Sequence, residues 1–485
     1  MNGRRRLHPV LALTLLALVP AVALAGLWWW ADQRADEGSA PESTAVAPPP
    51  PAPALATPLL SFRRAPASLA RELSLPAFEQ AVADFGATLD ATSCVAVTLD
   101  GVAVGSTGAD RAVIPASNQK LLVGAVALDV LAPETTFTTE VRALPVQAGA
   151  VTGDLYLVGG GDPLLTSNQF PVSDDPYPVT TPTSLDQLAD AVVAAGVQRI
   201  DGSVVGDGSR YDDEWFAPSW DNDVRGIEAG PYDALVVNDA RVTGDPSRAS
   251  DPAEGAAREF TALLAQRGVT VGGAPIAGVT PPEATTIASV SSAPIADVVA
   301  EMLGTSDDNT AELLVKELGV AGGGGGSRDA GLAVIQQTLE GWGVPMAGVA
   351  LADGSGLSND NRLTCAALLA VLARHEPDDA FGIGLPVAGQ SGTLSDVFID
   401  SPVAGRLRGK TGTLGNAPPD ADPPGVKSLS GYLPVDGNGT IEYALLLNSA
   451  GPLTDEAVYL PIWNALATTL ATYPQGPTPT ELGPR

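Results

Sequence analysis

The stretch Pro115-Ala116-Ser117-Asn118-Gln119-Lys120-Leu121-Leu122 begins an apolar run that predicts a helix from about Ser117 to Leu131. Residues three apart in a helix share a face, so the side chains of Ser117 and Lys120 are expected to point together. Such a serine can be a nucleophile beside its base, provided that burial or a second cation lowers the pKa of the lysine. The Pro115-Ala116 step suits a sharp entry to the helix, whose first N–H groups can stabilise an oxyanion. On its own, this spacing is also explained by Ser117 as an N-cap and Lys120 as a solvated surface residue.

A second lysine stands at the start of a predicted strand, in Lys410-Thr411-Gly412-Thr413. Side chains alternate along a strand, which puts Lys410 and Gly412 on one face and Thr411 on the other. Glycine permits close approach of a ligand, and lysine and threonine can bind a carboxylate. An ordinary edge-strand lysine is the alternative. The chain has only four lysines, so finding two of them in S-x-x-K and K-T-G, in this order, is improbable by chance.

The segment Ser306-Asp307-Asp308-Asn309 lies between these two motifs and supplies a third. S-x-x-K, S-x-N and K-T-G together resemble the three motifs of the penicillin-recognising serine enzymes. Over about residues 67–472 the chain is similar to the class C low-molecular-mass penicillin-binding proteins, the D-alanyl-D-alanine carboxypeptidases/endopeptidases. The flanking segments that carry this resemblance are Gly161-Asp162-Pro163, Met302-Leu303, Ala311-Glu312, Asp353-Gly354-Ser355-Gly356-Leu357-Ser358, Leu385-Pro386-Val387-Ala388-Gly389 and Gly392-Thr393-Leu394.

The resemblance implies a mixed α/β (α+β) fold, a serine β-lactamase/transpeptidase-like domain in which helices flank an antiparallel sheet. Members of this family split that domain with a large insert. In this chain, helix and hairpin patterns at both ends of the folded region surround a middle of short β-like runs and two amphipathic helices. We therefore expect a discontinuous catalytic domain at 67–139 and 286–473, with a mixed α/β insert at 140–285.

The resemblance also implies a mechanism that acts on peptidoglycan stem peptides. Ser117 attacks the carbonyl between two D-alanines, Lys120 takes the serine proton, and Ser306 relays it to the leaving amine. The N–H groups of Ser117 and Thr413 form the oxyanion hole, and water then hydrolyses the acyl-enzyme. The terminal carboxylate is held by Lys410, Thr411 and Thr413. β-Lactams are expected to acylate Ser117 as inhibitors, and neither a metal nor an organic cofactor is implied.

The middle motif departs from the family pattern, which reads S-D-N. Alignment on the flanking residues puts Asp308 in the asparagine slot, with Asn309 one residue late unless a local bulge brings it into place. A carboxylate there would attract Lys120 or Lys410 and favour the protonated lysine, which is unhelpful for a base. Two alternatives therefore remain open: a non-catalytic or impaired peptidoglycan-binding homologue, and a serine β-lactamase, which shares the motifs.

A second departure is the Pro/Asp-rich insertion from Gly415 to Val426, between the K-T-G strand and the next strand. It predicts a long loop beside the cleft that either restricts the substrates or is an inert surface loop.

The N-terminus has the pattern of an export signal. Three arginines, Arg4 to Arg6, precede an uncharged apolar run from Pro9 to Trp30, which is long enough to span a bilayer. We expect residues 1–30 to be a signal anchor, or a signal peptide cleaved near Ala23-Leu24-Ala25. Residues 31–66 read as a Pro/Ala-rich linker and 474–485 as a disordered tail. The folded part is then extracytoplasmic, either anchored to the cytoplasmic membrane or secreted.

Composition narrows the function further. A net charge of -30 repels the phosphate backbone and argues against nucleic-acid binding. With two histidines and two cysteines, a Cys/His zinc site cannot reach four ligands, and a Ser-His-Asp triad would depend on His375 alone. In an oxidising compartment, Cys94 and Cys365 predict one disulfide, the alternative being two buried free thiols.

Overall fold

The computed structural model describes residues 9–36, 66–170, 179–245, 247–415, 422–435 and 439–474. The chain forms two compact units, Met1–Ser61 and Phe62–Arg485. In the first unit, the described part is a helix from Pro9 to Asp36. Among the described residues, no helix combines the length and the hydropathy that a bilayer crossing requires. The predicted anchor or signal peptide at 1–30 stays a prediction, and its residues 1–8 lie outside the described part.

Three other predicted segments also fall wholly or partly outside the described residues, and in the second of them residues 416–421 do so. They are the linker at 31–66, the loop at 415–426 and the tail at 474–485.

The described elements follow the alternation of helix and strand patterns seen in the sequence. The helices are α1 (Pro9–Asp36), α2 (Pro66–Gly86), α3 (Gln119–Val130), α4 (Leu185–Ala194), α5 (Pro252–Gln266), α6 (Ile295–Thr305), α7 (Asp308–Ala321), α8 (Arg328–Gly341), α9 (Cys365–Leu372), α10 (Ala380–Ile383) and α11 (Glu456–Ala471). The strands are β1 (Cys94–Leu99), β2 (Val102–Thr107), β3 (Thr138–Ala143), β4 (Ala150–Val151), β5 (Leu155–Val158), β6 (Leu165–Thr166), β7 (Thr183–Ser184), β8 (Arg199–Ile200), β9 (Val204–Asp207), β10 (Thr270–Val271), β11 (Ile276–Ala277), β12 (Thr285–Ser291), β13 (Arg408–Leu414), β14 (Gly425–Pro434) and β15 (Thr440–Ser449).

The main sheet has the strand order β13-β14-β15-β1-β2, and every neighbouring pair is antiparallel. The side chains of β1 alternate between the two faces of the sheet, and both faces are buried. Cys94 and Ala96 belong to one buried cluster, and Val95 and Val97 belong to another. The first cluster packs under α3, α6, α7, α8 and α9, and the second under α2 and α11. This arrangement confirms the predicted antiparallel sheet flanked by helices.

Helix α3 lies in the middle of the first layer and is buried along almost its whole length. A helix that is apolar on all sides is stable only inside a core. The first turn of α3, which carries Lys120, is therefore held by neighbours from every direction.

A second five-stranded sheet lies in the middle of the chain, in the order β11-β9-β5-β3-β12, with α4 and α5 in its core. Strands β3 and β12 pair antiparallel, with Thr138 opposite Ser291 and Ala143 opposite Thr285. The predicted boundaries at 139/140 and 285/286 fall inside these two strands. The predicted insert would therefore begin and end on two neighbouring strands of this sheet, and its boundaries stay a prediction. The sequence pattern could not show this pairing, because β3 and β12 lie far apart in the chain.

A disulfide joins Cys94 on β1 to Cys365, the first residue of α9. The two cysteines are therefore not free thiols. The bond crosses the first core layer and fixes α9 against the sheet.

Replacing both cysteines, as Cys94→Ala/Cys365→Ala, is expected to lower the free energy of unfolding by about 4 kcal/mol. The reason is that the bond links residues 271 positions apart and so restricts the unfolded chain strongly. Denaturant unfolding of the full chain measures the loss, and wild-type protein in reductant should match the double variant. A double variant as stable as oxidised wild type would contradict this expectation.

Candidate active site

Ser117 lies in a 3-10 turn, Ala116–Asn118, that leads directly into α3. Ala116 has a positive φ of 49°, and this left-handed residue turns the chain sharply before the serine. Asn118 Nδ2 donates a hydrogen bond to the carbonyl oxygen of Lys410 at 3.0 Å, which ties the turn to β13. Ser117 is half-buried and lines the cleft described below. The predicted nucleophile is thus both fixed in position and accessible.

Two glycines let backbone segments approach this turn closely. A Cβ added at Gly412 on β13 would lie 2.9 Å from the backbone nitrogen of Ser117. Gly356 has a φ of +88°, and a Cβ there would lie 2.0 Å from the carbonyl oxygen of Ala116. The edge strand therefore runs within contact distance of the Ser117 N–H group. An oxyanion hole between Ser117 and Thr413 requires this arrangement.

Lys120 follows Ser117 by one helical turn, and its side chain is fully buried. Its Nζ donates to Ser117 Oγ at 3.1 Å, Asp308 Oδ1 at 2.6 Å and the carbonyl oxygen of Ser355 at 2.5 Å. A carboxylate and a carbonyl oxygen can only accept, so Lys120 donates to Asp308 and Ser355. Its remaining position faces Ser117 Oγ, where an uncharged amine can accept the proton of the serine.

Ser306 and Lys410 form the second polar pair of the site. Ser306 ends α6 in a left-handed conformation with a φ of 67°. Lys410 Nζ donates to Ser306 Oγ at 2.7 Å and to the carbonyl oxygen of Thr411 at 2.8 Å. Burial lowers the pKa of Lys410 well below its ordinary value, Lys120 lowers it further, and Asp308 opposes the shift. Because the charge of Lys410 is disfavoured, this lysine can exchange a proton with the Ser306 hydroxyl.

Asp308, and not Asn309, occupies the position beside Lys120. Asp307 caps α7 by accepting a hydrogen bond from Thr310 N at 2.5 Å, so the helix begins at Asp308 without a bulge. The side chain of Asn309 points away from Lys120, and its Oδ1 accepts from Gly230 N at 2.7 Å while its Nδ2 donates to Asp239. Asn309 is not among the residues that line the cleft with Ser117, because the helical geometry after Ser306 turns it away, and its role in substrate binding stays a prediction.

The loop at residues 353–356 fixes the position of Lys120. In the sequence, this loop served only to identify the family. Asp353 is fully buried and accepts hydrogen bonds from Gly356 N at 2.9 Å and Trp220 Nε1 at 2.7 Å. Glu312 on α7 accepts from Ser355 N at 2.7 Å, and burial together with Asp353 raises the pKa of Glu312 to about 8. These contacts aim the Ser355 carbonyl at Lys120. The D-G-S-G sequence was the only signal of this role.

Six of the predicted residues line a cleft of about 520 Å³, and Lys120 and Lys410 are buried behind it. Ser117, Ser306 and Asp308 lie at one end of the lining, and Thr411, Gly412 and Thr413 form its edge. Thr411 Oγ1 donates to Thr393 Oγ1 at 2.7 Å, while Thr413 is exposed. At the other end the cleft is lined by residues that sequence reasoning missed, namely Lys427, Glu456, Tyr459, Leu460 and Trp463. In the part of the chain that the structure describes, no group of three or more His, Cys, Asp or Glu could hold a metal ion.

Comparison with known proteins agrees with this geometry. A family model described as D-Ala-D-Ala carboxypeptidase 3 (S13) matches residues 77–248 and 243–473. The chain is 31% identical over 480 residues to a protein named carboxypeptidase DacB of Mycolicibacterium smegmatis, covering 94% of this chain and 96% of that one. It is 29% identical to a D-alanyl-D-alanine carboxypeptidase of an Actinomadura species, covering 74% of this chain and 77% of the relative.

Among solved structures, penicillin-binding protein 4 (dacB) of Haemophilus influenzae superposes with a TM-score of 0.66 at 20% sequence identity. The match covers 81% of this chain and 99% of the other. At this identity the likeness shows a common fold.

Proposed function

The chain belongs to the D-Ala-D-Ala carboxypeptidase 3 (S13) family, and we propose that it cleaves the D-Ala-D-Ala ends or cross-links of peptidoglycan stem peptides through an acyl-enzyme on Ser117. The observation that carries this proposal is the hydrogen bond between Lys120 Nζ and Ser117 Oγ, 3.1 Å long and buried at the base of an open cleft. A lysine amine that is hydrogen-bonded to a serine hydroxyl is placed to accept the proton of that serine.

In the first step Ser117 Oγ forms a bond to the carbonyl carbon while its proton passes to the Lys120 amine. The N–H groups of Ser117 and Thr413 stabilise the negative oxygen that develops. The C–N bond then breaks, and the Ser306 hydroxyl gives its proton to the leaving amine. Lys410 Nζ, 2.7 Å from Ser306 Oγ, replaces that proton. The proton that Lys120 took from Ser117 then replaces the one that Lys410 gave, so both lysines return to their starting states. A water molecule then attacks the ester and regenerates Ser117.

The substrate assay uses two peptidoglycan fragments, a monomer that ends in D-Ala-D-Ala and a cross-linked dimer. Release of D-alanine from the monomer, absent with Ser117→Ala, would support a carboxypeptidase. Conversion of the dimer to monomers would support an endopeptidase. If the wild-type protein cleaves neither fragment at a saturating concentration of that fragment, the proposal is overturned.

One contact favours a second candidate, a peptidoglycan-binding homologue with impaired chemistry. Asp308 stands where the family pattern has asparagine, and its carboxylate lies 2.6 Å from the Nζ of Lys120, the proposed base. This candidate predicts retained binding of both fragments with neither cleavage nor a β-lactam adduct.

We also propose that the folded part works outside the cytoplasmic membrane, held there by residues 1–30 or released after their removal. The disulfide supports an oxidising compartment. Fractionation of cells that express the full chain tests this proposal. An anchored chain stays with the membranes at full mass, a cleaved one loses its first residues, and a chain found in the cytoplasm would contradict it.

A further inference from the structure

Lys427 is a buried cation at the far end of the cleft. It lies on β14 directly opposite Thr413 on β13, so the two side chains share a face of the sheet. Only 9% of Lys427 is exposed. Its Nζ lies 3.9 Å from the ring centre of Tyr459 and 5.8 Å from that of Trp463, both on α11.

Among the residues that the structure describes, the other three lysines all have polar partners. Lys120 pairs with Asp308, Lys316 with Asp212 and Lys410 with Ser306. Lys427 Nζ makes no hydrogen bond or ion pair with any described residue, and its contacts are the two aromatic rings. A buried ammonium without a polar partner is costly, so this position, as the described residues form it, favours the binding of an anion.

The cleft supplies the route for such an anion. Lys427 lines the same space as Ser117 and the two threonines of β13, Thr411 and Thr413. Two acidic residues, Asp396 and Glu456, also line it, but both are exposed to solvent, which screens their charge. Of the described charged residues at this end of the cleft, the buried one is the cation.

Lys410 is poorly suited to hold the carboxylate of the leaving D-alanine. Its Nζ is already engaged by Ser306 and by the Thr411 carbonyl. Burial and Lys120 also lower its pKa. Burial lowers the pKa of Lys427 as well, but Glu456 opposes that shift and a bound carboxylate would oppose it further.

We propose that Lys427 is the cation that recognises the free terminal carboxylate of the leaving group, on the side of the cleft marked by Thr411 and Thr413. The inference rests on the proposed function for the identity of the ligand, and it makes Lys427 a specificity-determining residue. Lys427 does not take part in proton transfer in this account.

The test uses a matched pair of acyl-D-Ala-D-Ala peptides, one with a free terminal carboxylate and one with a terminal amide. Binding of each is measured by calorimetry on Ser117→Ala and on Ser117→Ala/Lys427→Met. Methionine keeps an apolar stem over Tyr459 and removes the charge. Affinity for the carboxylate peptide is expected to fall about 30-fold, the worth of one charge-assisted hydrogen bond. Affinity for the amide should stay unchanged, and Lys427→Arg should retain most of the preference for the carboxylate.

Two results would overturn the inference. One is an equal loss for both peptides, which would make Lys427 a packing residue. The other is an unchanged preference for the carboxylate. Because binding is measured without turnover, a chain that binds but never cleaves would refute the proposed function and leave this result standing.

Discussion

Replacing Lys120 by methionine is expected to slow acylation of Ser117 by about 10³-fold, the usual worth of a positioned general base. Lys120 Nζ is the group that hydrogen-bonds to Ser117 Oγ, and methionine fills the same buried space without accepting a proton. The rate is read as the growth of a covalent penicillin adduct by intact mass spectrometry.

Lys316 provides the matched control for this variant. It is also fully buried on a helix, and it pairs with Asp212 away from the cleft. Lys316→Met should cost stability and leave the acylation rate within a few-fold of wild type. Acylation of Lys120→Met at nearly the wild-type rate would remove Lys120 from the mechanism.

Replacing Asp308 by asparagine is expected to speed acylation about tenfold, which corresponds to about 1.4 kcal/mol. Asparagine keeps the size of the side chain and an acceptor for Lys120 Nζ, but it carries no charge. An uncharged amide holds Nζ less strongly than a carboxylate does, which leaves the amine freer to take the proton of Ser117. The magnitude is modest because the Asp308 side chain is 19% exposed and solvent already weakens the pair.

Asp307→Asn is the control for this gain. Asp307 is the neighbouring carboxylate, but it caps α7 through Thr310 N, and Lys120 Nζ donates to Asp308 instead. It should therefore give no acceleration. Slower acylation in Asp308→Asn would mean that the carboxylate takes part in proton transfer.

The residues that lie on one element were predictable from the sequence. Ser117 and Lys120 share a helical face, and Lys410 and Gly412 share a strand face, because 3.6-residue and two-residue periods act locally. The single disulfide followed from there being only two cysteines in the chain.

Features that depend on packing between distant elements were not predictable. From the sequence, either Asp308 or Asn309 could lie beside Lys120. The structure places Asp308 there, because Asp307 caps α7 and the helix begins at Asp308. Lys427 becomes a cleft residue because α11, some 30 positions later, lays Tyr459 and Trp463 against it. The periodicity of apolar residues along a segment does not show which helix covers which end of a sheet.

The most direct test of the central claim is a time course of the full chain with a labelled penicillin, followed by intact mass, with Ser117→Ala alongside. The account predicts one long-lived adduct on wild type and none on the variant. An adduct that forms and clears within seconds would indicate a β-lactamase. No adduct on wild type, or an adduct that persists in Ser117→Ala, would contradict Ser117 as the working nucleophile.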